Sequence, residues 1–108
     1  MKPMLTEPQR RLLRAITRLL LPRIGSDRNL PLLTVQSIET ADWGSLTFAG
    51  QRHWMTLVVP DLAIADVPSF EALHLGAEIV AEARVVSVVP VGSGVVLTIA
   101  VMVVETGH

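Results

Sequence analysis

Between Glu78 and Thr106 the chain runs EIVAEARVVSVVPVGSGVVLTIAVMVVET, and this stretch limits what everything upstream can become. Valine supplies ten of the twenty residues from Val85 to Val104. Its branched β-carbon stiffens χ1 and suits a pleated, half-buried surface better than a helix, so the stretch reads as two strands. Gly92-Ser93-Gly94 offers a three-residue hairpin connection, with Pro90 just ahead of it. The same twenty residues carry no charge and are long enough to cross a bilayer as one helix. Pro90, Gly92 and Gly94 in mid-run argue against that alternative.

The two halves of the stretch differ in pattern. From Glu78 to Arg84, the charged Glu78, Glu82 and Arg84 alternate with Ile79, Ala81, Ala83 and Val85, Val80 being the exception, as in a strand with one wet face. Beyond Val85 neither side is polar. Val86 and Val88 fall on one side and Val85 and Val89 on the other; in the return strand Val95, Leu97, Ile99 and Val101 alternate with Val96, Ala100, Met102 and Val104. A chain of 108 residues has few helices with which to cover both faces of an antiparallel sheet. A second copy is the expected cover, and curling of the sheet onto itself is the alternative. The residues expected at such an interface are Val86, Val88, Val96, Leu97, Ile99, Val101, Met102 and Val104.

The length predicts one domain over residues 1–108. Half of the residues are apolar and 18% are charged, which excludes disorder. There is no cysteine, so a disulfide framework, a thiolate metal site and a thiol nucleophile are all excluded. Residues 1–54 hold eight Lys/Arg against four Asp/Glu, and residues 55–108 hold one against six, a net +4 against −5. The halves should attract each other within one fold or across a dimer. A nucleic-acid partner calls for a stronger positive balance, so none is expected. The N-terminal MKPMLTEPQRRLLRAITRLLLP has arginines throughout and no uninterrupted apolar core of signal-peptide length, so a cytoplasmic location is the expectation.

Thr6 to about Leu21 reads as a helix, with Thr6 as cap, Glu7 in the first turn, Pro8 where its missing N–H costs nothing, and Pro22 and Gly25 as stops. Leu5, Leu12, Leu13, Ile16, Leu19 and Leu20 share one face; Arg10, Arg11, Arg14 and Arg18 share the other. After a polar loop at Ser26 to Pro31, three strands are predicted at Leu32–Thr40, Ser45–Ala49 and Arg52–Val59, with turns at Asp42–Ser45 and Gly50-Gln51. The first alternates poorly, which predicts a bulge near Thr34 to Ser37 or an edge position. Asp66 ahead of Val67-Pro68, Phe70 and Leu73 on one face, and Gly76 as a stop predict a short helix from about Pro68 to His74. No internal repeat is evident. The fold class is then α+β: an N-terminal amphipathic helix, a three-stranded antiparallel meander, a short helix and a long C-terminal β-hairpin, forming one five-stranded antiparallel sheet with helices on one face.

Unusual side chains concentrate in WGSLTFAGQRHWM, Trp43 to Met55. Alternation places Arg52 and Trp54 on one face of their strand and His53 and Met55 on the other. Arg52 can bind a carboxylate or phosphate, and Trp54 can stack on a planar ligand or on the guanidinium; the plainer role is an arginine shielding a core tryptophan at a hairpin edge. Trp43, Arg52, His53 and Trp54 are therefore the candidate ligand-binding residues. His53 and His74, with Asp61 or Asp66 as partners, lack HxH, HxxxH or HExxH spacing, so no metal site and no cofactor is expected. Walker, GxGxxG and GxSxG motifs are absent, and no serine stands in a nucleophile elbow. Glu78 and Glu82 are about 13 Å apart along one strand and read with Arg84 as a solvated face.

SLTFAGQRH together with HLGAEIVAEARV resembles a pattern in short proteobacterial proteins and implies no activity. The order of elements also resembles that of type III secretion chaperones, dimeric α/β proteins that bind peptide segments. This chain departs from them in lacking a final helix and an acidic overall charge, so the resemblance implies only a dimer-forming sheet. Three readings follow. The first is a homo-oligomeric, most simply dimeric, binding or scaffold module, for which no enzymatic motif speaks. The second is a small-molecule-binding protein or enzyme with a pocket near Arg52, Trp54 and Trp43. The third is a peripheral membrane-surface protein using the basic helix.

Overall fold

A computed structural model describes residues 4–23, 33–44, 49–75 and 79–105. One helix, α1 (Glu7–Leu20), precedes four strands, β1 (Thr34–Gly44), β2 (Ala49–Val59), β3 (Ile79–Val91) and β4 (Gly94–Glu105). The strands form one antiparallel sheet in the order β1-β2-β4-β3. Two successive hairpins therefore pair through β2 and β4, which become the central strands, while β1 and β3 are edges.

The helix starts as its sequence requires. Thr6 caps it in a capping box: the Thr6 hydroxyl accepts from the Gln9 backbone N–H at 3.3 Å, and the Gln9 side chain accepts from the Thr6 backbone N–H at 2.9 Å. Pro8 occupies the first turn, and the last turn tightens into a 3-10 turn over Leu21–Arg23. Leu12, Ile16 and Leu20 are fully buried against the sheet, whereas Arg10, Arg11, Arg14 and Arg18 are exposed. Among the described residues no helix is long and apolar enough to cross a membrane.

The structure corrects the expected five strands and three-strand meander to four strands in two hairpins. Asp42, Trp43 and Gly44 do not turn; they continue β1, paired with Gln51, Gly50 and Ala49. Gly50 and Gln51 are likewise strand residues, pairing with β4 at Val104 and Val103. Glycine is required at position 50 for a reason other than turning: a β-carbon there would run into the Val103 carbonyl oxygen. The expected strand at Ser45–Ala49 falls, apart from Ala49, outside the described residues.

The predicted helix from Pro68 to His74 is reduced to a 3-10 turn at Phe70–Ala72, preceded by another at Ile64–Asp66. The segment still fills the core, because Leu62, Phe70 and Leu73 are buried beside α1 and the sheet. Among the described residues the one α-helix covering the sheet is thus α1. Asp61, at the end of β2, adopts a left-handed φ of 63°, a conformation aspartate tolerates better than most residues, and its carboxylate accepts from the Ser93 hydroxyl at 3.2 Å.

In the valine-rich stretch both strands form as expected, but they are joined by two residues, Gly92 and Ser93, with Gly94 already in β4. A β-carbon on Gly94 would strike the Val59 carbonyl oxygen. Bulges between Val80 and Glu82 and between Val85 and Ser87 explain the broken alternation. Because of the first, Val80 and Ala83 both face the core while Glu82 and Arg84 face outward. Because of the second, Val85 and Val88 share the inner face, and Ser87 and Val89 the outer, which corrects the grouping expected from strict alternation. The expected bulge in β1 lies between Val35 and Ser37, and β1 is an edge strand.

Candidate functional site

Two faces result from this register. The inner face carries Met55, Leu57 and Val59 of β2 and Val95, Leu97, Ile99, Val101 and Val103 of β4, all buried beneath α1 and the 60–75 segment. The outer face has no covering element among the described residues. Read across it in the order β1, β2, β4, β3, one row is Glu39, Trp54, Ala100 and Arg84. The rows on either side are Ala41, Arg52, Met102, Glu82 and Ser37, Thr56, Thr98, Ser87.

Trp54 stands at the middle of this face and is 40% exposed. Ala100 beside it and Ala41 diagonal to it are small, so the indole rises above its surroundings with a depression on each side. One, of about 200 Å³, is lined by Arg52, Trp54, Glu82, Arg84, Ala100 and Met102. The other, of about 490 Å³, is lined by Glu39, Thr40, Ala41, Arg52 and Trp54. Arg52 and Trp54 thus share both depressions. Arg84 pairs with Glu82 at 3.2 Å, and both remain largely exposed.

The other two candidate ligand residues do not join this pair. His53 is 1% exposed and faces α1, where its Nδ1 lies 2.8 Å from the Thr40 hydroxyl. The Gln9 side chain donates to that hydroxyl at 2.9 Å, so a polar chain runs from the helix cap through β1 to β2. Trp43 lies one row past Arg52 and lays its indole against Gly50; its Nε1 is buried without a hydrogen-bond partner among the described residues.

The eight expected interface residues are divided by the sheet. Val96, Met102 and Val104 face outward, and Val86, at the bulge, is exposed. Leu97, Ile99 and Val101 are fully buried under α1, and Val88 packs partly buried beside them. Glu39, Glu82, Arg84 and Ala100, which surround Trp54, were not among the sequence candidates. Finding them needed the register of strands far apart in the chain.

A separate depression of about 170 Å³ lies along α1, lined by Arg11, Arg14, Ala15, Arg18, His74 and Leu75. Glu7 sits 3.9 Å from Arg10 and 3.8 Å from Arg14, exposed pairs worth little to stability. Among the described residues no three His, Asp or Glu side chains cluster closely enough to hold a metal ion. Comparison of the chain with models of protein families, with curated proteins and with solved structures finds no match.

Proposed function

We propose that the chain is a small binding or scaffold module that works as a homo-oligomer, most simply a dimer, through the outer face of its sheet. The observation that carries this reading is the contrast between the two faces. The inner face is sealed by α1, while the outer face presents Trp54, Ile79 and Val89, each at least 40% exposed, around half-buried Val58, Val96, Met102 and Val104. An exposed indole at the centre of the face, apolar groups towards both of its ends and charges and hydroxyls between them match the mixed composition of a protein–protein interface. Size-exclusion chromatography with light scattering tests it. A species of twice the 11.7 kDa chain is expected at micromolar concentration, and Val96→Asp should convert it to a folded monomer. A wild-type protein that elutes as a single chain sinks the reading.

A ligand site at Arg52 and Trp54 is the second reading, favoured by the two depressions that these residues share. A guanidinium beside an indole suits a planar carboxylate or phosphate ester. Thermal-shift screening with such compounds should show stabilisation that disappears in Arg52→Ala. Use of α1 on a membrane surface has no comparable support, since its buried leucines and isoleucine are packed on the sheet.

A further inference from the structure

We propose that two copies pack outer face to outer face about a two-fold axis parallel to the strands, so that Trp54 of each copy lies over Ala100 of the other and Glu39 over Arg84. This rests on the reading of the outer face as a homo-oligomer surface and specifies its geometry. Edge-to-edge pairing is disfavoured by the edges themselves: β3 has two bulges and Pro90, and β1 has one bulge. The face remains.

Two aligned sheets related by a two-fold axis between them have two arrangements, with the axis along the strands or across them. Through the centre of the face, an axis across the strands places each strand over its own copy. Glu39 would then meet Glu39, and Arg84 would meet Arg84, in like-charge contact. An axis along the strands reverses the strand order instead, laying β1 over β3 and β2 over β4. The row Glu39, Trp54, Ala100, Arg84 then meets itself reversed, which sets acid over base and the protruding indole over the small residue.

The neighbouring rows obey the same symmetry. Glu82 comes over Ala41, beside Arg52, so the pair that Arg84 makes with Glu82 at 3.2 Å widens into a network of alternating sign. Thr56 faces Thr98 and Ser37 faces Ser87, hydroxyl to hydroxyl, and in the row beyond Val58 faces Val96. Four strands of about eleven residues offer about 700 Å² per copy, close to the usual half of a stable interface.

Charge reversal and cross-linking test the axis. In sedimentation experiments, Glu39→Arg and Arg84→Glu should each weaken the dimer by about tenfold, and the double variant should return to within about threefold of wild type. Circular dichroism verifies that each variant is folded. Because the chain has no cysteine, copies carrying Glu39→Cys and Arg84→Cys can be joined by a short bismaleimide. Cross-linking is expected in the mixture and not within either variant alone. A cross-link between two Glu39→Cys copies would establish the axis across the strands and overturn the proposal. A dimer showing neither charge rescue nor mixed cross-linking overturns the geometry while leaving the homo-oligomer intact; a wild-type monomer overturns both.

Discussion

The Thr40 hydroxyl lies 2.8 Å from His53 Nδ1 and accepts from Gln9 Nε2 at 2.9 Å, joining the start of α1 to β1 and β2 through one oxygen. Gln9 and His53 are the two buried polar side chains among the described residues, and this contact explains how they are accommodated between α1 and the sheet. Thr40→Val keeps the shape of the side chain and removes the oxygen. It should cost about 1–3 kcal/mol in urea unfolding, because both partners lose a hydrogen bond inside the fold. No change in the unfolding midpoint would show that water replaces the hydroxyl at this edge strand.

The helix cap gives a second, smaller expectation. Thr6→Ala removes the oxygen that accepts from the Gln9 backbone N–H and should lower stability by about 1 kcal/mol. Gln9→Ala should cost more, since it removes both the reciprocal cap bond and the contact with Thr40. Equal effects in chemical denaturation would mean that the Gln9–Thr40 contact adds nothing.

Gly50 is a position where one methyl group should be felt. In Gly50→Ala the new β-carbon would overlap the Val103 carbonyl oxygen and press on Trp43 Nε1, so β2 and β4 must separate locally. A loss of about 1–3 kcal/mol is expected from overpacking of this kind. Thermal unfolding followed by circular dichroism measures it, and a variant as stable as wild type would mean that the strands shift without strain.

Adjacent residues of β4 should respond in opposite ways. Leu97 is fully buried under α1 and Val96 faces outward, although they are neighbours in sequence and equally apolar. Leu97→Ala should cost about 2–5 kcal/mol through the cavity it leaves. Val96→Ala should change monomer stability by under about 1 kcal/mol and act on self-association instead. Denaturant unfolding at several protein concentrations separates the two effects.

Much of the fold was legible along the chain. The Thr6 cap, the apolar stripe of α1 and the valine-rich hairpin are local signals, each spelled by residues within a few turns or one strand length of one another. The β1 bulge also left its mark, as poor alternation. The long first hairpin is not spelled locally, because Gly50, Trp43-Gly44 and Asp42 have the composition of turns yet sit in paired strands. Their glycine and aspartate serve strand pairing instead, Gly50 because of the nearby Val103 carbonyl and Asp42 through its bond from Gln51 at 3.2 Å. The short helix failed for want of length, leaving Phe70 and Leu73 to reach the core from a single turn.

The candidate site shows the same division. Alternation alone put Arg52 and Trp54 on one face and His53 on the other, because side chains along a strand have a period of two. It could not say which face α1 covers, nor that Ala100 and Arg84 share a row with Trp54. Bulges in β3 shift that row by a residue each, and the central pairing that creates it joins Trp54 to Ala100, 46 residues further along the chain. Residue type and local spacing thus determined α1, the C-terminal hairpin and the facing of Arg52 and Trp54 opposite to His53 and Met55 in this protein. Which side is core and which is open was decided only when α1 packed on one face and left Trp54 on the other, a choice made by long-range burial that no local pattern encodes.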